Sequence, residues 1–195
     1  EPVAPPTQKA IFGYGATSSY VSMTNLVNSS GVVATDTTGV GTARRELAAT
    51  GYGGDKAIFG YGFTGSKVSM TNLVSNNGVV AADVTGVGTA RQRLAAASYG
   101  GDKGLFGYGE NSGKISATNL VSNSGVVSAD VTGVGTNRYG LGAASYGGDK
   151  AIFGYGWTGA YVSMTNLVSN SGVVAADVTG VGTARRYSAC AAYGG

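Results

Sequence analysis

The chain has 195 residues, of which 35 are glycine, and only 12% of its residues are charged, with a formal net charge of +3. Its 13 Lys and Arg residues are spread singly along the chain, so no basic patch suited to nucleic acid is predicted. Histidine is absent and Cys190 is the only cysteine, which excludes an intrachain disulfide and removes the commonest general base and metal ligand. No apolar run approaches about 18 residues, so no membrane-spanning helix is predicted.

The chain contains four tandem copies of one 47-residue unit, which begin at Lys9, Lys56, Lys103 and Lys150. A period of about 20–50 residues is typical of propellers, solenoids and other repeat arrays. We therefore divide the chain into an extended N-terminal arm, residues 1–8, which holds all 3 prolines, and a single domain, residues 9–195. The domain consists of repeat 1 (9–55), repeat 2 (56–102), repeat 3 (103–149) and repeat 4 (150–195).

Each repeat is predicted to contain four short strands and no helix. In repeat 2, residues 56–62 (KAIFGYG) form an apolar run between Gly-rich turns, which is typical of a buried strand. Residues 67–75 (KVSMTNLVS) alternate apolar and polar side chains, with an irregularity expected near Asn72. An Asn-Asn-Gly turn then leads into a valine-rich strand at 79–87, and residues 91–99 (RQRLAAASY) precede the Gly-Gly-Asp turn. Four antiparallel strands in such a unit are typical of a β-propeller blade.

The order of the segments predicts that four blades close into a ring. The chain ends with residues 185–195 (RRYSACAAYGG), which should precede a GGDK turn, and we expect them to pair with residues 9–15 and complete the first blade. This closure would leave no long unpaired edge. The innermost strand, LAAASY in repeat 2, carries small side chains that suit a narrow four-bladed ring. A ring of eight blades from two chains is the less favoured alternative. Cys190, which replaces an alanine of this strand, is predicted to be buried.

The unit resembles kelch-type propeller repeats. Arg91 stands before LAAASYGGDK, FGYG at 106–109 takes the place of the family's strand-ending Phe-Gly-Gly, and Asp130 lies where the family has an Asp. The family's outer-strand Trp is missing, because each repeat has TGVGT there. The resemblance implies an all-β, four-bladed β-propeller of kelch-like repeats. The string GDKAIFGYG…SMTNLVSN is also similar to uncharacterised repeat proteins of tailed phages and aquatic bacteria, which implies a virion or surface role and no enzyme activity.

Two short windows differ between the repeats, while most other positions are shared. The first window comprises residues 16–20, 63–67, 110–114 and 157–161, and the second comprises the pairs 45–46, 92–93, 139–140 and 186–187. Because strands alternate in direction within a blade, both windows are predicted to lie on one face and the constant turns on the other. Loops on a rigid scaffold often carry binding function. We expect this face to bind a protein partner or a surface glycan, with self-association through a face as a further option.

The predicted binding residues are aromatic and charged side chains of the two windows. Exposed aromatic rings stack on sugars or anchor protein partners, and charged groups can fix orientation. The predicted residues are Tyr20, Phe63, Lys67, Arg93, Glu110, Lys114, Tyr139, Trp157, Tyr161 and Tyr187. Arg45, Glu46 and Arg186 share the face and could also fix orientation. The alternative interpretation is that the aromatic rings only pack onto the ends of the blades.

Arg and Asp residues that recur in every repeat are predicted to hold the blades together. We expect the Asp residues to accept hydrogen bonds in turns in preference to ringing a cation. We expect the Arg residues to pair with an Asp of the neighbouring blade in preference to binding an anion. The two sets are Arg44, Arg91, Arg138 and Arg185, and Asp36, Asp83, Asp130 and Asp177.

The sequence therefore predicts a non-enzymatic structural and recognition module of a phage virion, such as its tail or fibre, or of a bacterial surface. Such a module would be extracellular, and no catalytic residue, metal or cofactor is predicted. A soluble sugar-binding lectin is the first alternative. A hydrolase on a propeller scaffold is the second, with Glu46 and Glu110 as its carboxylate pair.

Overall fold

Glycine-rich turns break the chain into short extended segments. The computed structural model describes residues 8–193 and contains, within that range, eleven strands and no helix. In chain order the strands are β1 (Ala10–Ala16), β2 (Tyr20–Val27), β3 (Ala48–Tyr52), β4 (Lys56–Gly60), β5 (Thr71–Val74), β6 (Ala95–Tyr99), β7 (Lys103–Gly107), β8 (Thr118–Val121), β9 (Gly142–Tyr146), β10 (Lys150–Trp157) and β11 (Tyr161–Val168). The all-β prediction is confirmed. The predicted N-terminal arm lies outside the described residues, apart from Gln8.

The strands form four small antiparallel sheets. Their strand orders are β1-β2, β3-β4-β5, β6-β7-β8 and β9-β10-β11. In each three-stranded sheet, the first strand is the small-residue end of one repeat and the other two strands begin the next repeat. The Gly-Gly-Asp turn joins them: between β3 and β4, Gly53 and Gly54 have φ of 61° and 79°, a conformation that disfavours any side chain. The hairpins predicted at these turns are therefore formed.

The valine-rich segment predicted as a further strand, 79–87 in repeat 2, forms isolated bridges and no continuous strand. Val74 bridges Val80, and Thr71 bridges Val84. Between these bridges, the buried Asn72 side chain donates hydrogen bonds to the carbonyl of Ala81 (3.0 Å) and to Asp83 Oδ1 (2.9 Å). Strand β5 pairs with β4 in continuous register through Asn72, so the irregularity predicted near Asn72 is seen only in the pairing with the valine-rich segment.

Consecutive sheets pack through an aromatic pair that recurs at three junctions between repeats. The ring centroids are 5.1–5.2 Å apart in the pairs Tyr14–Phe59, Tyr61–Phe106 and Tyr108–Phe153. Each phenylalanine ring also lies over a backbone glycine, and a Cβ on Gly60 would come within 2.6 Å of Phe106 Cζ. The glycine is therefore needed for the ring of the next repeat to reach the backbone. The three phenylalanines are buried, at 0–4% exposure.

A buried arginine stacks on the tyrosine of each junction. The Arg44 guanidinium lies 4.3 Å from the Tyr14 ring centroid. Its Nη2 donates to Asn72 Oδ1 (2.6 Å) and its Nε to a backbone carbonyl of repeat 2 (2.9 Å). Arg91 and Arg138 repeat the stack and the asparagine contact, and all three arginines have no exposed surface. One arginine side chain therefore joins two repeats, and groups from both repeats stabilise its buried charge.

The aspartate of the next repeat completes each junction. Asp83 accepts hydrogen bonds from the backbone N–H and the hydroxyl of Thr42 (2.9 and 2.6 Å) and lies 3.8 Å from Arg44 Nη1. Partial burial alone would raise the pKa of Asp83, but the hydrogen bonds from Thr42 and Asn72 outweigh burial, so the pKa is lowered. Asp130 and Asp177 make the same contacts with Thr89 and Thr136. The predicted pairing of Arg and Asp between neighbouring repeats is confirmed at these three junctions.

The predicted closure of a ring by the C-terminal strand is not formed in residues 8–193. Strand β1 pairs with β2 and with no other described strand, and residues 189–193 form no strand. Phe12, the counterpart of the buried junction phenylalanines, is 62% exposed, and Tyr193 is 99% exposed. Cys190 is exposed as well, so the prediction that it is buried is wrong. The reason is that, within the described residues, no repeat covers Phe12 at the repeat 1 end or Cys190 and Tyr193 at the repeat 4 end.

Replacing a junction phenylalanine should destabilise the protein far more than replacing its uncovered counterpart. We expect Phe106→Ala to lower the free energy of unfolding by about 3–5 kcal/mol, because it leaves a cavity between two sheets. Phe12→Ala, measured on dilute protein, should cost less than about 1 kcal/mol, since Phe12 is 62% exposed. Urea denaturation followed by circular dichroism measures both. Equal losses would contradict the assigned junctions.

Alkaline pH should weaken the junctions through the buried tyrosines. Burial, partly offset by the stacked arginine, raises the pKa of Tyr61 and of Tyr108 from 10.0 to about 12. The tyrosine hydroxyl of the folded protein thus holds its proton to a higher pH than that of the unfolded chain. The resulting stabilisation is fully present below the unfolded-state pKa and is lost as pH rises through the folded-state pKa. Stability should therefore fall between pH 10 and about 12, by roughly 2–3 kcal/mol for each tyrosine.

Urea midpoints measured across this pH range test the prediction. The double variant Tyr61→Phe with Tyr108→Phe should lose less stability over the range than the parent chain. Tyr193→Phe is the matched control, because this ring is 99% exposed, and it should leave the alkaline loss unchanged. If the double variant and the parent chain lose stability equally, the burial of these hydroxyls does not cause the alkaline loss.

Candidate partner-binding surface

The two variable windows lie side by side at one end of the sheets. Isolated backbone bridges join Arg45 with Phe63, Gln92 with Glu110, and Tyr139 with Trp157. The constant turns lie at the other end of the strands, where Asn76 Nδ2 donates to Asp55 Oδ2 (3.1 Å). The arrangement predicted from strand alternation is therefore the one observed. We call the set of residues 16–20, 45–46, 63–67, 92–93, 110–114, 139–140, 157–161 and 186–187 the variable-loop surface.

An aromatic group at repeat 4 surrounds one arginine. The Trp157 and Tyr161 rings meet edge to face, with centroids 4.8 Å apart. The Arg186 guanidinium lies 5.0 Å from the Trp157 centroid and 5.1 Å from that of Tyr187, and its Nη1 donates to Tyr139 Oη (3.2 Å). Tyr161 and Tyr187 remain 54% and 57% exposed. We call these five residues the Trp157 cluster. The Arg186 guanidinium contacts these rings and fixes their orientation, so the cluster presents exposed aromatic surface.

A smaller group of the same kind lies where repeats 1 and 2 meet. The Arg45 guanidinium is 5.2 Å from the Tyr20 centroid and 5.6 Å from that of Phe63, and the two rings are 6.2 Å apart. Nearby, Lys67 Nζ donates to the carbonyl of Asn111 (2.8 Å), which ties the first window of repeat 2 to that of repeat 3. Arginine over aromatic rings is thus the recurrent packing of this surface.

Two carboxylates of the surface share one arginine. Arg93 Nε lies 3.0 Å from Glu46 Oε2, and Arg93 Nη1 lies 3.1 Å from Glu110 Oε2. The Arg93 guanidinium also lies 5.4 Å from the Tyr139 ring centroid. Burial alone would lower the pKa of Arg93, but the contact with Glu46 outweighs it and the pKa is raised. One guanidinium therefore joins two carboxylates that come from different repeats.

Equivalent residues of the four repeats converge beside this ion pair. Arg93 N–H donates to the carbonyl of Glu46 (2.9 Å), Gly140 N–H to that of Arg93 (3.0 Å), and Tyr187 N–H to that of Gly140 (2.6 Å). Glu46, Arg93 and Tyr187 each have φ of 56°, in the left-handed region. An open cavity of about 220 Å³ is lined by Glu46, Leu47, Arg93, Leu94, Gly140, Leu141 and Tyr187. The second window of every repeat thus contributes to one depression.

All ten predicted binding residues lie on the variable-loop surface, in separate groups. Tyr139, Trp157, Tyr161 and Tyr187 belong to the Trp157 cluster, Arg93 and Glu110 to the ion pair, and Tyr20 and Phe63 to the smaller aromatic group. Lys67 bonds to Asn111, and Lys114 is paired with Glu110 through the backbone. Neither the backbone ladder nor its cavity was predicted from the sequence. Gly140 was the available signal, because a glycine at one of four equivalent positions indicates a left-handed conformation.

Other kinds of site find no support among the described residues. Within 8–193, no group of three or more Asp, Glu, Cys or His side chains could hold a metal ion. Over the same stretch, no helix has the length and apolar character needed to cross a membrane.

Comparison with known proteins gives no assignment. No protein-family model matches the chain. No curated protein sequence matches it either.

Removing the shared cation should destabilise the surface. We expect Arg93→Met to lower the free energy of unfolding by about 1–3 kcal/mol, because Glu46 and Glu110 lose charge-assisted hydrogen bonds. Arg45→Met is the control, since that guanidinium is exposed and its close contacts are aromatic rings, and it should cost less than about 1 kcal/mol. Urea denaturation measures the free energy of unfolding of both variants. If Arg93→Met loses no more stability than Arg45→Met, the shared ion pair is contradicted.

Proposed function

We propose that this chain is a non-enzymatic structural and recognition module that contacts a partner through the Trp157 cluster. The observation that carries the proposal is the packing of Trp157, Tyr161 and Tyr187 around Arg186, with two of these rings more than half exposed. Large exposed aromatic rings that are held in place cost little entropy on binding and are frequent at the centres of interfaces. The partner is another protein or a surface glycan, both of which offer flat apolar surface beside polar groups.

The four sheets serve this role as blades of a propeller-type array with kelch-like repeats. Two observations support the array: the three equivalent junctions, and the cavity to which all four repeats contribute. A repeated frame of this kind holds loops in fixed positions, so the variable windows can differ without loss of fold. We place the module on a phage virion, in a tail or fibre, or on a bacterial surface. The low charge, the high glycine content and the resemblance of the repeat support that setting.

A soluble lectin is the second candidate, and the differences between the repeats limit the number of its sugar sites. The positions equivalent to Trp157 are Ala16, Phe63 and Glu110, so the four repeats do not offer four equal sugar sites. A lectin of this chain would bind through repeat 4 alone, with one site per chain.

An enzyme is disfavoured by the contacts of the two carboxylates. Glu46 and Glu110 both contact Arg93 at 3.0–3.1 Å. Each carboxylate is thus engaged by the same guanidinium, which also lies 5.4 Å from the Tyr139 ring centroid. The pair therefore fits a structural role on the variable-loop surface.

The double variant Trp157→Ala with Tyr161→Ala tests the proposed function. Binding should be sought with a glycan array and with intact bacterial cells, using the labelled 195-residue chain. We expect binding with one site per chain and at least a tenfold loss in the double variant, because both rings of the pair are removed. Quenching or shift of the Trp157 fluorescence on titration gives an independent measurement, since this is the only tryptophan.

A matched control lies at the other end of the sheets. Lys56→Ala with Asn76→Ala alters two exposed polar side chains beside the constant turns, and it should leave binding unchanged. Circular dichroism must show that both double variants are folded. Equal binding by the parent chain and the Trp157 double variant would overturn the proposal. Binding to glycans but not to cells stripped of them would favour the lectin.

A further inference from the structure

The two ends of the array carry the two halves of one junction. At the repeat 4 end, Arg185 stacks on Tyr155 at 3.9 Å and donates to the carbonyl of Thr183 (3.0 Å), as the junction arginines do. Yet Arg185 is exposed, whereas Arg44, Arg91 and Arg138 have 0% exposure. At the repeat 1 end, Asn25 donates to Asp36 Oδ1 (2.8 Å), as Asn72 does to Asp83. Each end thus retains the side-chain contacts that one half of an internal junction makes within its own repeat.

The strands are complementary in the same way. The sheet of repeat 1 has two strands, whereas each of the other three sheets has a third, inner strand. Residues 189–193 (ACAAY) occupy the position of that inner strand one period after β9, and they form no strand. The segment already follows β9, since a Cβ on Gly142 would lie 3.1 Å from Cys190 Cβ. Among residues 8–193, one sheet therefore lacks an inner strand, and one inner-strand segment lacks a sheet.

We infer that the repeat 4 end of one chain docks on the repeat 1 end of a second copy, with residues 189–193 pairing with β1 as its inner strand. The register follows from the β9–β10 pairs Gly142↔Gly154 and Tyr146↔Lys150. The same register sets Ala189 opposite Gly13 of the second copy and Tyr193 opposite its Lys9. Addition of a strand to an open sheet edge supplies backbone hydrogen bonds along its whole length.

The side chains at the two ends fit this arrangement. Phe153 packs on Tyr108, and a Cβ on Gly107 would come within 2.6 Å of its Cζ. At the open end, a Cβ on Gly154 would meet only Thr165 Cγ2, at 3.2 Å. No described residue covers the face above Gly154, so this face can receive Phe12 of the second copy.

The polar groups complete the same junction. In the docked pair, Arg185 donates to Asn25 of the second copy, as Arg44 donates to Asn72 within the chain. Thr183 likewise donates to Asp36, as Thr42 donates to Asp83. The new interface would thus contain the aromatic, cationic and acidic contacts already present three times in the protein.

A second copy is the occupant that the exposed groups support. Within one chain the two halves stay apart, with Phe12 62% and Tyr193 99% exposed. The contact is head to tail, so each added chain leaves one end of each kind. Such heterologous contacts close into rings where the rotation per chain permits and otherwise extend as filaments. This contact is separate from the proposed partner site, because Trp157 and Tyr161 take no part in the junction.

The mass of the 195-residue chain in solution, measured by light scattering across a concentration series, tests the inference. We expect the mass to rise in whole-number multiples of the chain mass. Phe12→Asp should abolish the rise, because it places a charge where a ring must be buried. Val32→Asp is the matched control: Val32 is also 62% exposed, but its counterparts in repeats 2 to 4 stay 65–67% exposed, so it lies outside the junctions. This variant should associate like the parent chain.

A mixing experiment identifies the surfaces. Gly154→Ala fills the space that Phe12 must enter, so this variant alone should also be monomeric. Phe12→Asp retains an intact repeat 4 end, and Gly154→Ala retains an intact repeat 1 end. An equal mixture should therefore form a 1:1 dimer and nothing larger. A parent chain that is monomeric up to millimolar concentration, equal behaviour of Phe12→Asp and Val32→Asp, or a mixture without dimers would each overturn the inference.

Discussion

A buried arginine that is shared between repeats is the constraint on which the rest of the structure depends. The Arg44 guanidinium stacks on a tyrosine of its own repeat and donates to Asn72 of the next, with no exposed surface. A buried cation that loses its partners costs several kcal/mol, so the arginine of one repeat requires the next repeat to be folded. Stability in such an array is approximately a sum of contributions from neighbouring repeats. The protein is therefore cooperative along its length although each sheet has only two or three strands.

The same constraint explains where the repeats are free to differ. Junction positions such as Tyr61, Arg91 and Asp130 bond through their side chains and are the same in the three internal junctions. In the second window, repeats are joined through the backbone instead, as in the hydrogen bond from Arg93 N–H to the carbonyl of Glu46. A backbone bond places no demand on side-chain identity. Glutamate, arginine, glycine and tyrosine can therefore occupy equivalent positions, and the surface can vary while the frame stays constant.

Much of the local structure could be predicted because the repeat encodes it locally. The Gly-Gly-Asp turn and the KAIFG strand depend on neighbouring residues, and both are formed. The variable-loop surface followed from strand alternation alone. The valine-rich segment was predicted as a strand but forms only isolated bridges, because the pairing of Asn72 with Ala81 and Asp83 is a side-chain effect that hydrophobic alternation does not reveal. Ring closure depends on the rotation at each junction, which no sequence pattern of one repeat contains. The burial expected for Cys190 depended on that closure and failed with it.

Repeats 1 and 4 each keep residues that form junctions elsewhere in the chain. Here Phe12 remains a phenylalanine at 62% exposure, and Arg185 still stacks on Tyr155 without a covering repeat. An uncovered aromatic ring and an open strand edge both promote association. These positions hold the same residues as the internal junctions. Residues 8–193 therefore carry both halves of a junction at separate places, and both halves are chemically distinct from the variable-loop surface.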